Sequence, residues 1–292
     1  MDASHRTAFD PSYGGGRYIG ATDDYDGARA VVYGMPMDWT TSFRPGARLG
    51  PRRIREVSVG LEEYSPYLDR SLDETTFFDA GDIPLPFGNP GRSLDMIDDY
   101  VGRWLDDGKL PFGLGGEHLV TLGAVRAVRR RFPDLAVLHF DAHTDLREQY
   151  EGEEMSHSAV MRKILDFVPP GRLYQFGVRS GMREEFEFAR AHTRFFPFDV
   201  LEPLKGCLSE LADAPVYISI DIDVLDPSSA PGTGTAEAGG VPFRELLAAV
   251  HAMRGLRVVG FDLVEVAPVL DPTEQTQIAA AKLLREALLS YA

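Results

Sequence analysis

The sequence predicts a single α/β domain of three layers, in which helices cover both faces of a mostly parallel sheet. Eight short apolar runs suit buried strands, and six stretches with helical spacing of apolar residues lie between them. Because strand and helix patterns alternate along the chain, we expect right-handed βαβ units. No linker, repeat or low-complexity stretch divides the 292 residues, so one domain with a large core is expected.

The polar, glycine-rich residues 1–28 are interpreted as an N-terminal arm, which leads into a domain of residues 29–292. The predicted strands are, in order, RAVVYGM, TTFFDAG, LPFGLGG, LAVLHFD, RLYQFGV, TRFFPFD, PVYISID and LRVVGFDLVEV. The predicted helices are RSLDMIDDYVGRWLDDG, VTLGAVRAVRRRFPD, SAVMRKILDFV, MREEFEFARAH, PFRELLAAVHAMRG and EQTQIAAAKLLREALLSY. Ligands of such sheets bind beyond the carboxyl ends of the strands, so polar residues that follow the strands are candidate site residues.

Composition narrows the classes of partner. The formal charge of −15, from 30 Lys and Arg against 45 Asp and Glu, argues against nucleic acid or an anionic membrane surface as the main partner. A single cysteine, Cys207, excludes an internal disulfide and a thiolate zinc site. No run approaches the roughly 18 apolar residues of a membrane span, and no signal peptide is evident. We therefore predict a cytoplasmic protein.

Acidic and imidazole side chains follow several of the predicted strands. If these strands are neighbours, their carboxyl ends meet at one edge of the sheet. The residues expected to form one pocket there are His118, Asp141, His143, Asp145, Asp221 and Asp223. In the segment DAHTD the three candidates alternate, so an extended chain would direct all three side chains to the same side.

Four carboxylates and two imidazoles form a donor set of oxygen and nitrogen, which suits Mn²⁺. So much negative charge exceeds what one divalent ion needs, and two ions roughly 3.5–4 Å apart would balance it. A lone Asp after a strand is more often a turn or cap residue than a ligand. The prediction therefore depends on the coincidence of several strand ends.

The other histidines are assigned different roles. His157 lies in the polar loop EGEEMSHSAVMR, which would overhang the pocket, so it is a candidate proton shuttle. The alternative is a helix-start residue beside Ser156. His139 is expected either to face away from the pocket or to pack beside the strand end, and to be structural. Solvated roles are expected for His5, His192 and His251.

The motifs GGEH, DAHTD and SIDIDVLDP, followed by VEVAP, resemble the signature of the ureohydrolases, the family of arginases and agmatinases. SFRPGARLGPRRIRE and DAGDIP extend the resemblance, which is greatest to bacterial agmatinases. It implies an arginase-like fold and two Mn²⁺ per subunit. One implied ligand set is His118, Asp141, Asp145 and Asp221. The other is Asp141, His143, Asp221 and Asp223, so that Asp141 and Asp221 would bridge.

The resemblance also implies roles in catalysis. Asp145 would orient the attacking hydroxide and pass its proton to the leaving amine, and Glu265 would pair with the substrate guanidinium. His157 would relay protons, and Thr144 joins His157 and Glu265 as a substrate-binding candidate. The implied reaction converts the cationic substrate agmatine and water to putrescine and urea, a step towards polyamines such as spermidine. A homotrimer or homohexamer is implied as well.

Several alternatives stay open at this stage. Arginases carry acidic residues where this chain has Ser180, Gly181 and Met182, which favours a substrate without an amino-acid head. The acidic EGEE segment favours an amine end. Another guanidino-compound hydrolase, such as a guanidinobutyrase, arginase or formimidoylglutamase-like enzyme, is the alternative within the enzyme class. A non-catalytic binding or assembly relative and a metal-dependent phosphoesterase are alternatives outside it, and GLGGEH lacks the lysine of a phosphate-binding loop.

Overall fold

The computed structural model of the chain describes residues 16–292. Its strands are β1 (Ala30–Met35), β2 (Tyr64–Ser65), β3 (Arg70–Ser71), β4 (Phe77–Asp82), β5 (Leu110–Gly115), β6 (Ala136–Phe140), β7 (Leu173–Phe176), β8 (Arg194–Phe196), β9 (Pro215–Asp221) and β10 (Arg257–Val264). Its α-helices are α1 (Gly50–Ser58), α2 (Pro90–Asp106), α3 (Val120–Arg131), α4 (Val160–Ile164), α5 (Arg183–His192), α6 (Leu201–Leu211), α7 (Phe243–Ala252) and α8 (Gln275–Tyr291).

Eight strands form one parallel sheet in the order β4-β1-β5-β10-β9-β6-β7-β8. Successive residues of a strand contribute to opposite faces, as the pleat requires. Val32 of β1 belongs to a core cluster with residues of α1, α6, α7 and α8. Val31 and Tyr33 belong to a second cluster with residues of α2, α3, α4 and α5. Helices therefore cover both faces, and the predicted three-layer α/β fold is confirmed.

All eight predicted strands of the main sheet are present, as are the six predicted helices. Helices α1 and α6, and the short hairpin β2–β3, were not predicted. In α1 the buried side chains include Arg55, which conceals the apolar periodicity. In α6 the residues Pro203 and Gly206 interrupt the pattern that otherwise indicates a helix.

The predicted arm lies partly outside the described residues, because the structure begins at residue 16. Within it, Tyr18 is buried, its backbone N–H donates to Asp79 at 2.8 Å and its hydroxyl donates to the Ala281 carbonyl at 2.5 Å. The division of the chain at residue 28 stays a prediction. Among the described residues, no helix is both long and apolar enough to cross a membrane.

Candidate metal centre

The metal-ligand candidates meet because β5, β10, β9 and β6 are consecutive neighbours in the sheet. His118 lies in the loop after β5, Asp221 ends β9, and Asp141 follows β6. Asp223 lies just beyond Asp221. Of the six candidates only His143 is partly exposed, with 26% of its side chain accessible. The predicted cluster, which we call the ligand cluster, is thus one buried group at the carboxyl edge of the sheet.

His118 lies at the centre of three carboxylates. Its Nδ1 is 3.0 Å from Asp141 Oδ2, 3.2 Å from Asp145 Oδ2 and 3.4 Å from Asp221 Oδ2. Despite these approaches, Nδ1 makes no hydrogen bond of acceptable geometry with any of the described residues. A buried nitrogen without such a partner is costly unless another group binds it.

The opposite side of the His118 ring fixes its orientation. Nε2 lies 2.9 Å from Ser219 Oγ, whose own hydroxyl donates to Asp262 at 2.6 Å. Because the Ser219 proton is used on Asp262, the Ser219 oxygen accepts from Nε2–H. The lone pair of a neutral His118 therefore lies on Nδ1 and faces the carboxylates, which is the tautomer a metal ligand requires.

Asp141 is held by two histidines and by the backbone. Its Oδ2 lies 2.7 Å from His139 Nε2, and its Oδ1 accepts from the His143 N–H at 2.6 Å. We expected His139 either to face away from the pocket or to pack beside the strand end, and its contact with Asp141 fits the second placement. Strand β6 ends at Phe140, so the Asp141 side chain is free to reach back to the ring of His139.

A second histidine and carboxylate pair completes the cluster. His143 Nδ1 is 3.0 Å from Asp223 Oδ2, a buried oxygen that has no hydrogen-bond partner in residues 16–292. The other oxygen of Asp223 accepts from the Ala142 N–H at 3.0 Å, and its backbone N–H donates to Asp221 Oδ1 at 2.8 Å. These bonds connect the loop after β9 to the loop after β6.

The DAHTD segment is not the extended chain that its alternation suggested. Asp145 adopts φ = 52°, in the left-handed region that few residues other than glycine favour. The turn still brings its carboxylate to His118, as described above. Convergence of the three side chains therefore comes from a loop and not from a strand.

The ligand cluster carries an excess of negative charge. Burial lowers the pKa of His118, but the neighbouring Asp141, Asp145 and Asp221 carboxylates outweigh it and raise the pKa well above its ordinary value. Burial, together with the charges of Asp223 and Asp141, raises the pKa of Asp221 well above its ordinary value. In both cases the protein takes up protons where a cation would otherwise balance the charge.

The residues present fit a metal pair. The two orphaned atoms, His118 Nδ1 and Asp223 Oδ2, both face the cluster, and the donors are imidazole nitrogen and carboxylate oxygen. The potential ligand atoms form two groups, and within each group all of the atoms lie within 4.8 Å of one another. One comprises His118, His139, Asp141 and Asp145; the other comprises Asp141, His143 and Asp223. Asp141 is common to both, and Asp221 belongs to neither, although it approaches His118.

Two further candidates, His157 and Glu265, lie beside the cluster. Glu265 adopts φ = 63°, and its Oε1 accepts from the His118 N–H at 2.7 Å. His157 Nδ1 is 3.7 Å from the same oxygen. Burial lowers the pKa of His157, but Glu265 outweighs it, so that this pKa lies above its ordinary value.

A cavity of about 290 Å³ opens beside these groups. Its lining includes the candidates His143, Thr144, Asp145, His157 and Asp221, but not Glu265. It also includes Arg147 and Glu185, which the sequence reasoning missed. Glu185 accepts from Thr144 Oγ1 at 2.5 Å and from the Met182 N–H at 2.7 Å. The only signal for it was an acidic residue three positions after Met182 at a helix start.

Comparison with known proteins gives concordant results. The sequence profile of the arginase family matches residues 28–290. An agmatinase of Bacillus subtilis is 58% identical over 97% of this chain and 99% of its own length. A guanidinobutyrase of Pseudomonas aeruginosa is 33% identical over 93% of this chain and 89% of its own. The crystal structure of an agmatine ureohydrolase of Thermoplasma volcanium is 32% identical, covers 99% of this chain and 97% of its own, and superposes with a TM-score of 0.85.

Proposed function

This chain belongs to the arginase family, and from that premise we propose that it is an agmatinase, a hydrolase that converts agmatine and water to putrescine and urea. The observation that carries the proposal is the 58% identity to an agmatinase across 97% of the chain. The ligand cluster supports it, because four buried carboxylates and two imidazoles suit the metal-dependent attack of water on a guanidinium carbon.

The metal ligands would be the residues of the ligand cluster, and we propose two Mn²⁺ per subunit. Metal ions bound there would supply a nucleophile at neutral pH by lowering the pKa of water. Asp145 lies both in the cluster and in the cavity wall, so its carboxylate can hold the attacking water in line with the substrate carbon. The same carboxylate can accept the proton that the attacking water gives up and, when the bond from carbon to the alkyl nitrogen breaks, deliver that proton to the leaving amine.

The guanidinium end of the substrate requires a negative partner, and we propose Glu265 for this role. Its Oε1 is already bound to the His118 N–H, which fixes the carboxylate beside the cluster. His157, which lines the cavity and whose Nδ1 lies 3.7 Å from Glu265 Oε1, can move protons to and from solvent. Thr144 contributes to the same wall, although its hydroxyl is bound to Glu185. Its role is therefore to position that carboxylate.

The far end of the cavity distinguishes the possible substrates. Glu185 offers a buried carboxylate that suits a primary amine, as in agmatine. Arg147 also lines the cavity, and its guanidinium suits a carboxylate, as in guanidinobutyrate. Since Arg147 Nε lies 3.6 Å from Glu185 and its guanidinium stands over the Tyr150 ring, its charge is already partly compensated. We therefore place agmatine first and guanidinobutyrate second.

The experiment is urea release by the purified, Mn²⁺-loaded protein on agmatine, guanidinobutyrate and arginine in parallel, with a chelated sample as control. A kcat/KM for agmatine at least about tenfold above the others is expected, since loss of one charged contact costs roughly 1.5–3 kcal/mol. If guanidinobutyrate is preferred, the proposed mechanism stands but the proposed substrate is wrong. Absence of urea from all three, with metal bound, would overturn the proposal.

A variant separates substrate binding from metal binding. Glu265→Gln should lower kcat/KM for agmatine by about 10²-fold, because the charge-assisted bonds to the guanidinium are lost. Metal content should stay near that of the wild type. Loss of metal in this variant would place Glu265 among the ligands. The cytoplasmic location, the trimeric or hexameric assembly and the place in polyamine synthesis stay predictions from the sequence.

A further inference from the structure

Glu117 is a fully buried carboxylate next to the ligand cluster, with no role so far in the proposed reaction. The segment that carries it is bound tightly to the chain beyond β1. The Gly116 N–H donates to the Met35 carbonyl at 2.8 Å, and the Glu117 N–H donates to the Met37 carbonyl at 2.7 Å. A Cβ at position 116 would lie 1.9 Å from the Met37 oxygen, so only glycine fits there. This backbone is therefore rigid where the Glu117 side chain leaves it.

The Glu117 carboxylate binds the neighbouring segment of residues 40–42. Its Oε2 accepts from the Thr40 N–H at 2.8 Å and from Thr41 Oγ1 at 3.4 Å. Its Oε1 is buried and has no hydrogen-bond partner within the part of the chain that the structure describes. The bonds of this carboxylate thus go to the 40–42 segment, and Glu117 belongs to neither group of converging metal-ligand atoms found among residues 16–292.

The same segment holds His157 from two sides. The His157 N–H donates to Thr40 Oγ1 at 3.0 Å. The Ser42 N–H donates to His157 Nε2 at 3.2 Å, and Ser42 Oγ lies 2.9 Å from that nitrogen. Because a backbone N–H can only donate, Nε2 must offer a lone pair. The proton of the neutral ring is then on Nδ1, which faces Glu265.

We propose that Glu117 is a positioning residue for the reaction: it fixes the 40–42 segment, and that segment fixes the place and the tautomer of His157. The proposal rests on the proposed function, since it gives His157 the proton-relay role. Glu117 itself is neither among the residues that line the cavity nor a member of either group of candidate metal ligands among residues 16–292. A displacement of the relay by about 1 Å can cost on the order of 10²-fold in rate.

The test is a double-mutant cycle with Glu117→Ala and His157→Ala, measured as kcat and KM for agmatine in the Mn²⁺-loaded protein. Alone, Glu117→Ala should lower kcat by about 10- to 100-fold, with KM and metal content close to those of the wild type. In the His157→Ala background the same change should cost less than about threefold, since residues that act as a unit are not additive. Additive losses, or loss of metal in Glu117→Ala, would overturn the proposal.

Two further variants serve as controls. Glu117→Gln retains an acceptor oxygen for the Thr40 N–H and should restore most of the kcat lost in Glu117→Ala. Glu286→Gln changes another fully buried glutamate, in α8, and its effect should add to that of His157→Ala. If the effects of Glu286→Gln and His157→Ala on kcat are as strongly non-additive as those of Glu117→Ala and His157→Ala, a general loss of stability explains the coupling. Positioning by Glu117 would then be refuted.

A readout without activity keeps the test independent of the proposed function. Nitrogen-15 NMR of the His157 ring, assigned by subtraction of the His157→Ala spectrum and recorded at a pH high enough to keep the ring neutral, should show one tautomer with the proton on Nδ1. In Glu117→Ala the ring should exchange between both tautomers. An unchanged tautomer in Glu117→Ala would contradict the inference even if agmatine is hydrolysed. If no urea is released but the tautomer changes, the proposed function fails and the positioning of His157 by Glu117 stands.

Discussion

Two buried polar clusters of this protein differ in how their charge is balanced. In the first, which we call the Arg55 cluster, the guanidinium of Arg55 in α1 binds Asp79 and Asp82 of β4. The Arg55 Nη2 also donates to the Gly81 carbonyl at 3.1 Å, and Asp79 accepts from the backbone of Tyr18 and Gly81. No atom of these three side chains is a buried orphan among residues 16–292.

The ligand cluster lacks such internal balance. It holds four carboxylates against two imidazoles, and two of its buried atoms have no hydrogen-bond partner among the residues described. Both clusters lie at the sheet, yet only the Arg55 cluster contains a permanent cation, because the imidazoles of the ligand cluster are charged only when they bind a proton. Burial of polar groups alone therefore does not identify a functional site; uncompensated charge with orphaned, convergent donor atoms does.

The largest expected difference between the clusters concerns activity. Asp141→Ala removes the carboxylate shared by both groups of candidate metal ligands. Metal binding and urea release should be lost together, with activity down by about 10⁴-fold or more, because the nucleophile depends on the metal. Bound manganese by elemental analysis and kcat on agmatine check this. A variant that retains both would refute the assignment of Asp141.

The next difference concerns stability. Asp79→Ala removes the buried carboxylate that accepts from Arg55 Nε and from two backbone N–H groups, so the free energy of unfolding should fall by about 3–5 kcal/mol. Urea denaturation of the chelated protein measures it. Glu56→Gln, which removes a charge that α1 presents in a more accessible ion pair with Arg52, should cost at most about 1 kcal/mol. Equal costs for the two variants would contradict the comparison.

A smaller effect is expected for the groups that orient the metal ligands. Ser219→Ala removes the hydroxyl between His118 Nε2 and Asp262, so that His118 loses the bond that selects its tautomer. Affinity for Mn²⁺ should fall by about 10- to 100-fold, as for other residues behind a metal ligand. Competition with a chelator of known affinity measures the change. Thr121→Val, which removes another donor to Asp262 but none to His118, is the matched control.

The eight strands could be predicted because buried parallel strands are continuous apolar runs. Two helices could not, since their sequences hide the helical signal for physical reasons. The α1 helix buries Arg55, whose charge is balanced by residues of β4 that are distant in sequence. In α6 the residues Pro203 and Gly206 both have low helix propensity, and the packing of Leu204 and Leu211 in the core compensates for it.

The same distinction applies to the site. The convergence of the ligand cluster was predictable, because its members follow strands that a parallel sheet places side by side. The contacts of His139 and Glu117 were not, because each depends on how a loop turns after the strand. Asp141 reaches back to His139 only because β6 ends one residue earlier. Likewise, Glu117 meets Thr40 through a pairing of loops that no periodicity encodes.

The smallest expected difference is in pH dependence, and its sign differs between a balanced and an unbalanced carboxylate. Glu286 accepts from Ser65 at 2.7 Å and binds His251 and Arg285. Burial raises its pKa, but His251 and Arg285 outweigh this and lower it to about 2. Because the pKa is lower in the folded state, Glu286 contributes stability above pH ~4.5 that is lost as the pH falls towards 2.

For Asp221 the pKa is raised in the folded state, so the folded protein binds the extra proton and stability falls as the pH rises above about 4. Urea denaturation of the chelated protein from pH 2.5 to 7 gives the free energy of unfolding as a function of pH. In Glu286→Gln the loss of this free energy at acid pH should be smaller by about 1–2 kcal/mol. Asp221→Asn should instead reduce the decline in the free energy of unfolding as the pH rises towards neutral. If both variants change stability in the same pH range, the difference in charge balance around Glu286 and Asp221 cannot explain the pH dependence. Mn²⁺ should abolish the Asp221 effect alone, because a cation at the ligand cluster favours the ionised carboxylate.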